Sequence, residues 1–74
     1  FPEEANYLDT YAWILYKMKR YEQAKSWMQK AIDISESETF YSHMAEILIE
    51  LGEKEESEFY LEKSKLLKES SKNE

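Results

Sequence analysis

Apolar residues recur along this chain at intervals of three and four, the spacing that places side chains on one face of an α-helix. Four segments show this spacing, at about residues 4–18, 21–34, 37–51 and 53–70. The alternation of apolar and polar residues that is typical of a β-strand occurs in none of them. The pattern therefore predicts an all-α protein.

The first three predicted helices each have an apolar face, which we expect to form the core. These faces consist of Leu8, Tyr11, Ala12, Leu15 and Met18 in the first helix; Tyr21, Ala24, Trp27, Met28, Ala31 and Ile32 in the second; and Tyr41, Met44, Ala45, Leu48 and Leu51 in the third. The fourth helix carries Phe59, Tyr60, Leu61, Leu66 and Leu67. Because alanines recur among larger residues, we expect the helix axes to approach closely.

The connections between the predicted helices are short. Lys19 and Arg20 alone join the first helix to the second, so these two must form an antiparallel hairpin. The spacing from Ser35 to Glu38 is that of a capping box, which predicts the start of the third helix there. Gly52, the only glycine, stands where a left-handed residue would end that helix.

The chain also repeats itself at a shift of 33 residues, which brings Leu15 onto Leu48 and the other apolar positions into register. A fixed period in this range is typical of stacked units that cannot bury their apolar faces alone. We predict two stacked antiparallel helical hairpins, at 1–36 and 37–70, and a disordered tail at 71–74. A plain four-helix bundle is the alternative fold, in which the first and fourth helices would be in direct contact.

Composition excludes several classes of function. The 74 residues carry a net charge of −6, and affinity for nucleic acids or anionic membranes depends largely on Lys and Arg, so we expect neither as a partner. The absence of Cys excludes disulfides and thiolate metal sites. No apolar run approaches the roughly 20 residues of a membrane span, so we expect no membrane insertion by this segment.

Both halves of the chain resemble the tetratricopeptide repeat (TPR). The positions that match its signature spacing are Leu8, Tyr11, Ala12, Leu15, Tyr21, Ala24, Met28 and Ala31 in the first copy, and Tyr41, Met44, Ala45, Leu48, Gly52, Ser57, Leu61 and Ser64 in the second. The resemblance implies a short right-handed superhelix, a fragment of an α-α solenoid. The second copy is weaker, and atypical residues are expected in a terminal repeat. The run Leu8–Trp13 and the later Ser42–Glu46 are similar to bacterial multi-repeat TPR proteins near their C-terminal end.

The resemblance also implies a function, since TPR arrays bind protein or peptide partners in a concave groove lined by the first helix of each repeat. The positions that match groove-lining sites, or that could line the groove beside them, are Asn6, Asp9, Thr10, Trp13, Tyr16, Lys17, Ser42, His43, Glu46, Ile49 and Glu50. A clamp for an acidic peptide tail needs several Lys, Arg and Asn residues, and the single Lys17 cannot form one. We therefore expect a scaffold or adaptor module that does not bind acidic tails in that manner.

Two of these positions have competing interpretations. Trp13 could anchor a peptide, because aromatic residues are enriched at binding hot spots, or it could pack on the helix of the neighbouring repeat. His43 and Glu46 are three residues apart and resemble half of a metal site, but a metal needs three or four ligands. We expect instead a hydrogen bond from His43, with Asp9 of the other repeat as the partner.

No catalytic motif, phosphate-binding loop or cofactor motif is present, so an enzyme is not expected. The alternative to partner binding is a purely architectural role, in which the segment closes a longer solenoid whose working surface lies elsewhere. Phe59 has no apolar counterpart in the first hairpin; it could cover the end of the stack or form a patch for self-association through exposed repeat ends.

Overall fold

The computed structural model describes residues 2–72, and their side chains within residues 3–70. It contains four helices in this part of the chain: α1 (Pro2–Lys17), α2 (Tyr21–Ile34), α3 (Glu38–Glu50) and α4 (Lys54–Lys72). The predicted all-α class is confirmed. The last helix continues two residues beyond its predicted end, and residues 73–74 of the expected tail lie outside the described residues.

The helices pack as two antiparallel hairpins. Helix α1 packs along α2 and α3 packs along α4, while the contact between the hairpins runs mainly from α2 to α3. Over residues 2–72, α1 and α4 make no close backbone approach. This arrangement contradicts the four-helix bundle, which would bring those two helices together.

The two hairpin turns have the same backbone structure at equivalent positions. In the first, Arg20 N–H donates to the Leu15 carbonyl at 2.9 Å, and Lys19 lies in the left-handed region at a φ of 65°. In the second, Glu53 N–H donates to the Leu48 carbonyl at 2.9 Å, and Gly52 has a φ of 78°. Bonds of this span close a helix in the Schellman motif, so the 33-residue repeat extends to the turns.

Helix α3 does not begin as the capping-box spacing predicted. Its N-cap is Ser37, whose hydroxyl accepts a hydrogen bond from Phe40 N–H at 3.4 Å. The hydroxyl of Ser35 instead donates to the neighbouring Glu36 carbonyl. Both serines are acceptable caps, and only the one adjacent to the first helical turn can reach its free N–H groups.

The core follows the predicted faces in α2 and α3 but not in α1 and α4. Its fully buried members include the alanines of α1, α2 and α3 and the large side chains Met28, Met44, Ile47 and Leu48. Tyr11 of α1 and Met18, which follows the last residue of α1, are about half exposed, which corrects their assignment to the core.

The apolar residues of α4 are only partly in the core. Phe59, Leu61 and Leu66 are about half exposed, whereas Ser57 and Ser64 are buried. Each of these serines donates to a backbone carbonyl of α3, that of Ala45 or Glu38. A serine side chain is small enough to let two helices approach closely, and its hydroxyl is hydrogen-bonded although it is buried. The spacing of large apolar residues does not predict the burial of such serines.

Candidate functional site

An aromatic stack joins the two hairpins on the side formed by α1 and α3. The Trp13 ring lies between the Tyr16 ring, at a centroid distance of 4.5 Å, and the His43 ring, at 4.0 Å. Both pairs are nearly parallel, with interplanar angles of 13° and 21°. Trp13 and Tyr16 are one turn apart on α1 and His43 belongs to α3, so the stack crosses from one repeat to the next. All three rings are partly exposed.

The predicted hydrogen bond between His43 and Asp9 is present. His43 Nδ1 and Asp9 Oδ1 are 2.8 Å apart, and both side chains are largely covered, with exposed fractions of 22% and 15%. A carboxylate oxygen can only accept, so Nδ1 is the donor. The bond holds the imidazole ring against Trp13, and it leaves Nε2 as the free ring nitrogen.

Negative charge surrounds one end of the stack. Burial raises the pKa of the Tyr16 hydroxyl above its ordinary value, and the nearby carboxylates of Glu46 and Glu50 raise it further. The Lys17 ammonium lies 5.3 Å from the centre of the Trp13 ring, the middle ring of the stack, within the range of a cation–π interaction.

Most of the other candidate residues have exposed side chains. Asn6, Thr10 and Lys17 of α1, and Glu46 and Ile49 of α3, are exposed. The Thr10 hydroxyl donates to the Asn6 carbonyl at 3.0 Å, so it is engaged by its own helix.

Ser42 differs from the rest. Its hydroxyl lies 3.0 Å from that of Ser64 on α4, which places its polar group at the contact within the second hairpin and away from the aromatic stack. Helical spacing assigned Ser42 to the groove, but spacing does not show which neighbouring helix a short side chain contacts. The candidates other than Ser42 form what we call the partner face: Asn6, Asp9, Thr10, Trp13, Tyr16, Lys17, His43, Glu46, Ile49 and Glu50. Ile49 lies at its edge, where it lines a groove with Gly52 and with Leu61 of α4.

Neither a metal-binding cluster nor a membrane-spanning helix is found in the described part of the chain. Within it, no group of three or more His, Asp or Glu side chains is placed to hold a metal ion. None of the four helices, as far as they are described, is long and apolar enough to cross a bilayer. The partner face therefore offers hydrogen bonds, charge and aromatic surface.

Comparison with known proteins identifies the repeat. A family model described as "Anaphase-promoting complex, cyclosome, subunit 3" matches residues 1–64, which covers both hairpins up to the last two turns of α4. No curated protein and no solved structure matches the chain. The matched region holds the stacked hairpins, the paired Schellman turns and the aromatic stack, and the chain therefore belongs to this family of TPR-like repeats.

Proposed function

We propose that this segment is a protein–protein interaction module that binds a partner polypeptide on the partner face. TPR-like repeats are generally non-enzymatic and act as protein interaction modules, which supports the general class of function. The family is described by a subunit of a multiprotein complex, which agrees with a role in contacts between proteins. The aromatic stack of Tyr16, Trp13 and His43 is the observation that carries the proposal to this face.

The stack has the properties of a binding anchor. Stacked rings and the bond between His43 and Asp9 fix the position of Trp13 before any partner arrives, which lowers the entropy lost on binding. The rings keep part of their surface exposed, so a side chain of the partner can lie against them. Large, rigid aromatic side chains of this kind provide most of the affinity at many protein interfaces.

Charge favours a basic partner. Glu46 and Glu50 lie next to Tyr16, while Lys17 is the one basic residue assigned to the partner face. A segment with Lys or Arg beside an apolar residue would pair with these carboxylates, whereas an acidic peptide would be repelled. The same charge balance argues against nucleic acid as the partner.

A second candidate is an architectural role, and the aromatic stack is also the observation that favours it. The Trp13 ring stacks on His43, so it contributes to the cohesion of the two hairpins. This contact agrees with the interpretation in which Trp13 packs on the helix of the neighbouring repeat. In that case the hairpins at 1–36 and 37–70 would be the closing end of a right-handed superhelix, with the working surface elsewhere. The similarity to C-terminal repeats of bacterial multi-repeat proteins fits either candidate.

The two candidates are distinguished by peptide selection. Peptides of random sequence are selected by phage display against the chain, and the dissociation constants of the selected peptides are measured by fluorescence anisotropy. We expect basic sequences that contain an aromatic or aliphatic residue, and at least a roughly tenfold loss of affinity for the double variant Glu46→Lys/Glu50→Lys.

The matched control is Glu55→Lys/Glu62→Lys, which makes the same change of charge at exposed positions of α4, away from the stack. This control should bind within about twofold of the unmodified chain, because rim charges far from the contact act only through a screened field. Equal losses for both double variants, or selection of acidic peptides, would overturn the proposal.

A further inference from the structure

The hydrogen bond between His43 and Asp9 also determines what the other nitrogen of the imidazole can do. Asp9 Oδ1 accepts from His43 Nδ1 at 2.8 Å, so the single proton of the neutral ring is on Nδ1. Nε2 then carries a lone pair and acts as a hydrogen-bond acceptor. Without a carboxylate beside Nδ1, either nitrogen could hold the proton. Asp9 therefore fixes which nitrogen donates and which accepts.

The Nε2 atom of His43 is accessible. Among the side chains of residues 3–70 it has no hydrogen-bond partner, yet no buried side-chain nitrogen or oxygen atom of these residues is left without one. Nε2 must therefore lie on the accessible surface, although the His43 side chain as a whole is only 22% exposed. A largely covered ring thus presents an unpaired acceptor to solvent.

Two contacts from α1 hold the His43 ring in place. Its face stacks on Trp13 at a centroid distance of 4.0 Å, and its Nδ1 edge is bonded to Asp9. The stacking fixes the plane of the ring, and the bond fixes its rotation within that plane. A group held in this way loses little conformational entropy when a partner binds it. Nε2 is therefore a preorganised acceptor.

The charged groups around His43 come from α1 and α3. Asp9 is bonded to the ring, the Lys17 ammonium lies 5.3 Å from the centre of the Trp13 ring, and Glu46 follows His43 by three residues on α3. In the described side chains, α2 and α4 contribute no hydrogen bond or ion pair to His43. Two carboxylates against one ammonium favour a donor that carries positive charge.

On the basis of the proposed function, we propose that His43 Nε2 is the specificity-determining acceptor of the partner face. It receives a hydrogen bond from a cationic N–H group, that of Lys or Arg, in the basic partner. Asp9 is a positioning residue, because it acts on the partner only through the tautomer that it imposes on His43.

A proton and the partner then compete for the same nitrogen. When the imidazole binds a second proton, Nε2 becomes a donor and the ring becomes positively charged. The basic partner loses its acceptor and meets a like charge, so its affinity should decrease as the pH falls. Carboxylates ordinarily stay ionised above about pH 5.5, which separates their titration from this effect.

The first experiment needs no partner. His43 is the only histidine, so a long-range ¹H–¹⁵N correlation spectrum of the imidazole reports on this residue alone. At about pH 8, where an ordinary histidine is neutral, we expect a protonated Nδ1 and an unprotonated Nε2. Asp9→Ala should give a mixture of both tautomers. An Nε2–H tautomer in the unmodified chain would overturn the proposal, and identical spectra of the two proteins would remove Asp9 from its positioning role.

The second experiment uses a basic peptide without histidine, obtained from the phage selection, and measures its dissociation constant at about pH 8 and about pH 5.5. The unmodified chain should bind it about three- to tenfold more weakly at the lower pH. His43→Phe keeps a ring against Trp13 but has no acceptor, so it should bind about tenfold more weakly at pH 8 and without dependence on pH.

The matched variant is His43→Gln, whose amide oxygen can accept at the end of the side chain but does not titrate. It should recover most of the affinity at pH 8 and keep it at pH 5.5. Near-ultraviolet circular dichroism of each variant shows whether the protein is still folded, so that unfolding is not mistaken for loss of the acceptor.

The outcomes separate this proposal from the proposed function. If a peptide shifts the Trp13 indole signal but binds the unmodified chain and His43→Phe equally at pH 8, the acceptor role of His43 is wrong and the partner face remains a binding surface. A pH dependence that persists in His43→Phe would assign the effect to another group and also contradict the proposal. A selection that yields no peptide dependent on the partner face would overturn both.

Discussion

His43 and Asp9 connect the second hairpin to the first through a hydrogen bond of 2.8 Å, and His43 simultaneously stacks on Trp13. The two interactions can be separated by substitution. Phe at position 43 keeps an aromatic ring against Trp13 but removes the donor, and Ala at position 9 removes the acceptor. A double-mutant cycle of Asp9→Ala and His43→Phe therefore isolates the bond.

We expect a coupling energy of about 0.5–1.5 kcal/mol from this cycle, measured by urea unfolding of the four proteins, because the pair is largely shielded from water. The single variant His43→Phe should retain the near-ultraviolet circular dichroism that a stacked tryptophan gives. A coupling energy indistinguishable from zero would show that the bond does not hold the hairpins together.

The two Schellman turns both require a left-handed residue at equivalent positions, and different residues occupy them. Lys19 has a φ of 65°, where a side chain is strained, whereas Gly52 has a φ of 78° and no strain. Lys19→Gly should therefore raise the free energy of unfolding by about 0.5–1 kcal/mol, and Gly52→Ala should lower it by about 1 kcal/mol.

The Gly52 result tests the backbone alone, because no atom lies within 4 Å of where a Cβ would be added. Thermal unfolding of both variants checks the pair. If both substitutions destabilised the protein, the turn at Lys19 would not have the left-handed conformation described.

Close approach of the helices depends on alanine-sized side chains in the core. Ala12 has no exposed surface, and its counterpart Ala45 has none either. Ala12→Leu should destabilise the protein by about 1–3 kcal/mol, because overpacking displaces neighbouring side chains. Thr10→Leu adds a leucine at an exposed position of the same helix and should change the stability by no more than about 0.5 kcal/mol. Calorimetry of the two variants decides the matter, and equal stabilities would mean that the helices do not meet at Ala12.

Stability should decrease in alkaline solution. Burial raises the pKa values of Tyr16, Tyr41 and Tyr60 above 10.0, and nearby carboxylates raise them further. The hydrogen bond to Glu53 raises the pKa of Lys25 above 10.5. A raised pKa means that the folded state binds the proton more tightly than the unfolded state. This stabilisation is complete below the unfolded pKa and is lost as the pH rises through the folded pKa.

Urea unfolding between about pH 8 and pH 11 should therefore show a plateau at the lower end and a decline above about pH 10. Tyr16→Phe keeps the ring that stacks on Trp13 and removes one of the titrating groups, so its decline should be shallower. A variant profile parallel to that of the unmodified chain would contradict the assignment of Tyr16.

The sequence predicts the four helices and both hairpins correctly because their signals are local: apolar periodicity, short connections and a glycine at a turn. It does not predict the exposure of Tyr11 and Met18, because periodicity identifies an apolar face without saying whether another helix covers it. The 33-residue repeat does not supply that information either, since it aligns the half-exposed Tyr11 with the buried Met44.

Polar contacts were predicted unevenly for a related reason. The bond between Asp9 and His43 could be expected because both residues are assigned to the same side of adjacent repeats. The burial of Ser57 and Ser64 depends on donors that reach carbonyls of another helix, at 2.9 and 3.0 Å. Such contacts depend on interhelical distances that sequence spacing does not provide.

The central claim is that a partner binds beside Trp13, and the two tryptophans provide an internal comparison. Trp13 lies in the stack that joins α1 to α3, whereas Trp27 lies on α2, in edge contact with Tyr11. Their indole N–H groups give separate signals in a ¹H–¹⁵N correlation spectrum. Titration with a selected basic peptide should shift the Trp13 indole signal and leave that of Trp27 in place. A shift confined to Trp27, or saturable binding that leaves Trp13 unchanged, would contradict the account.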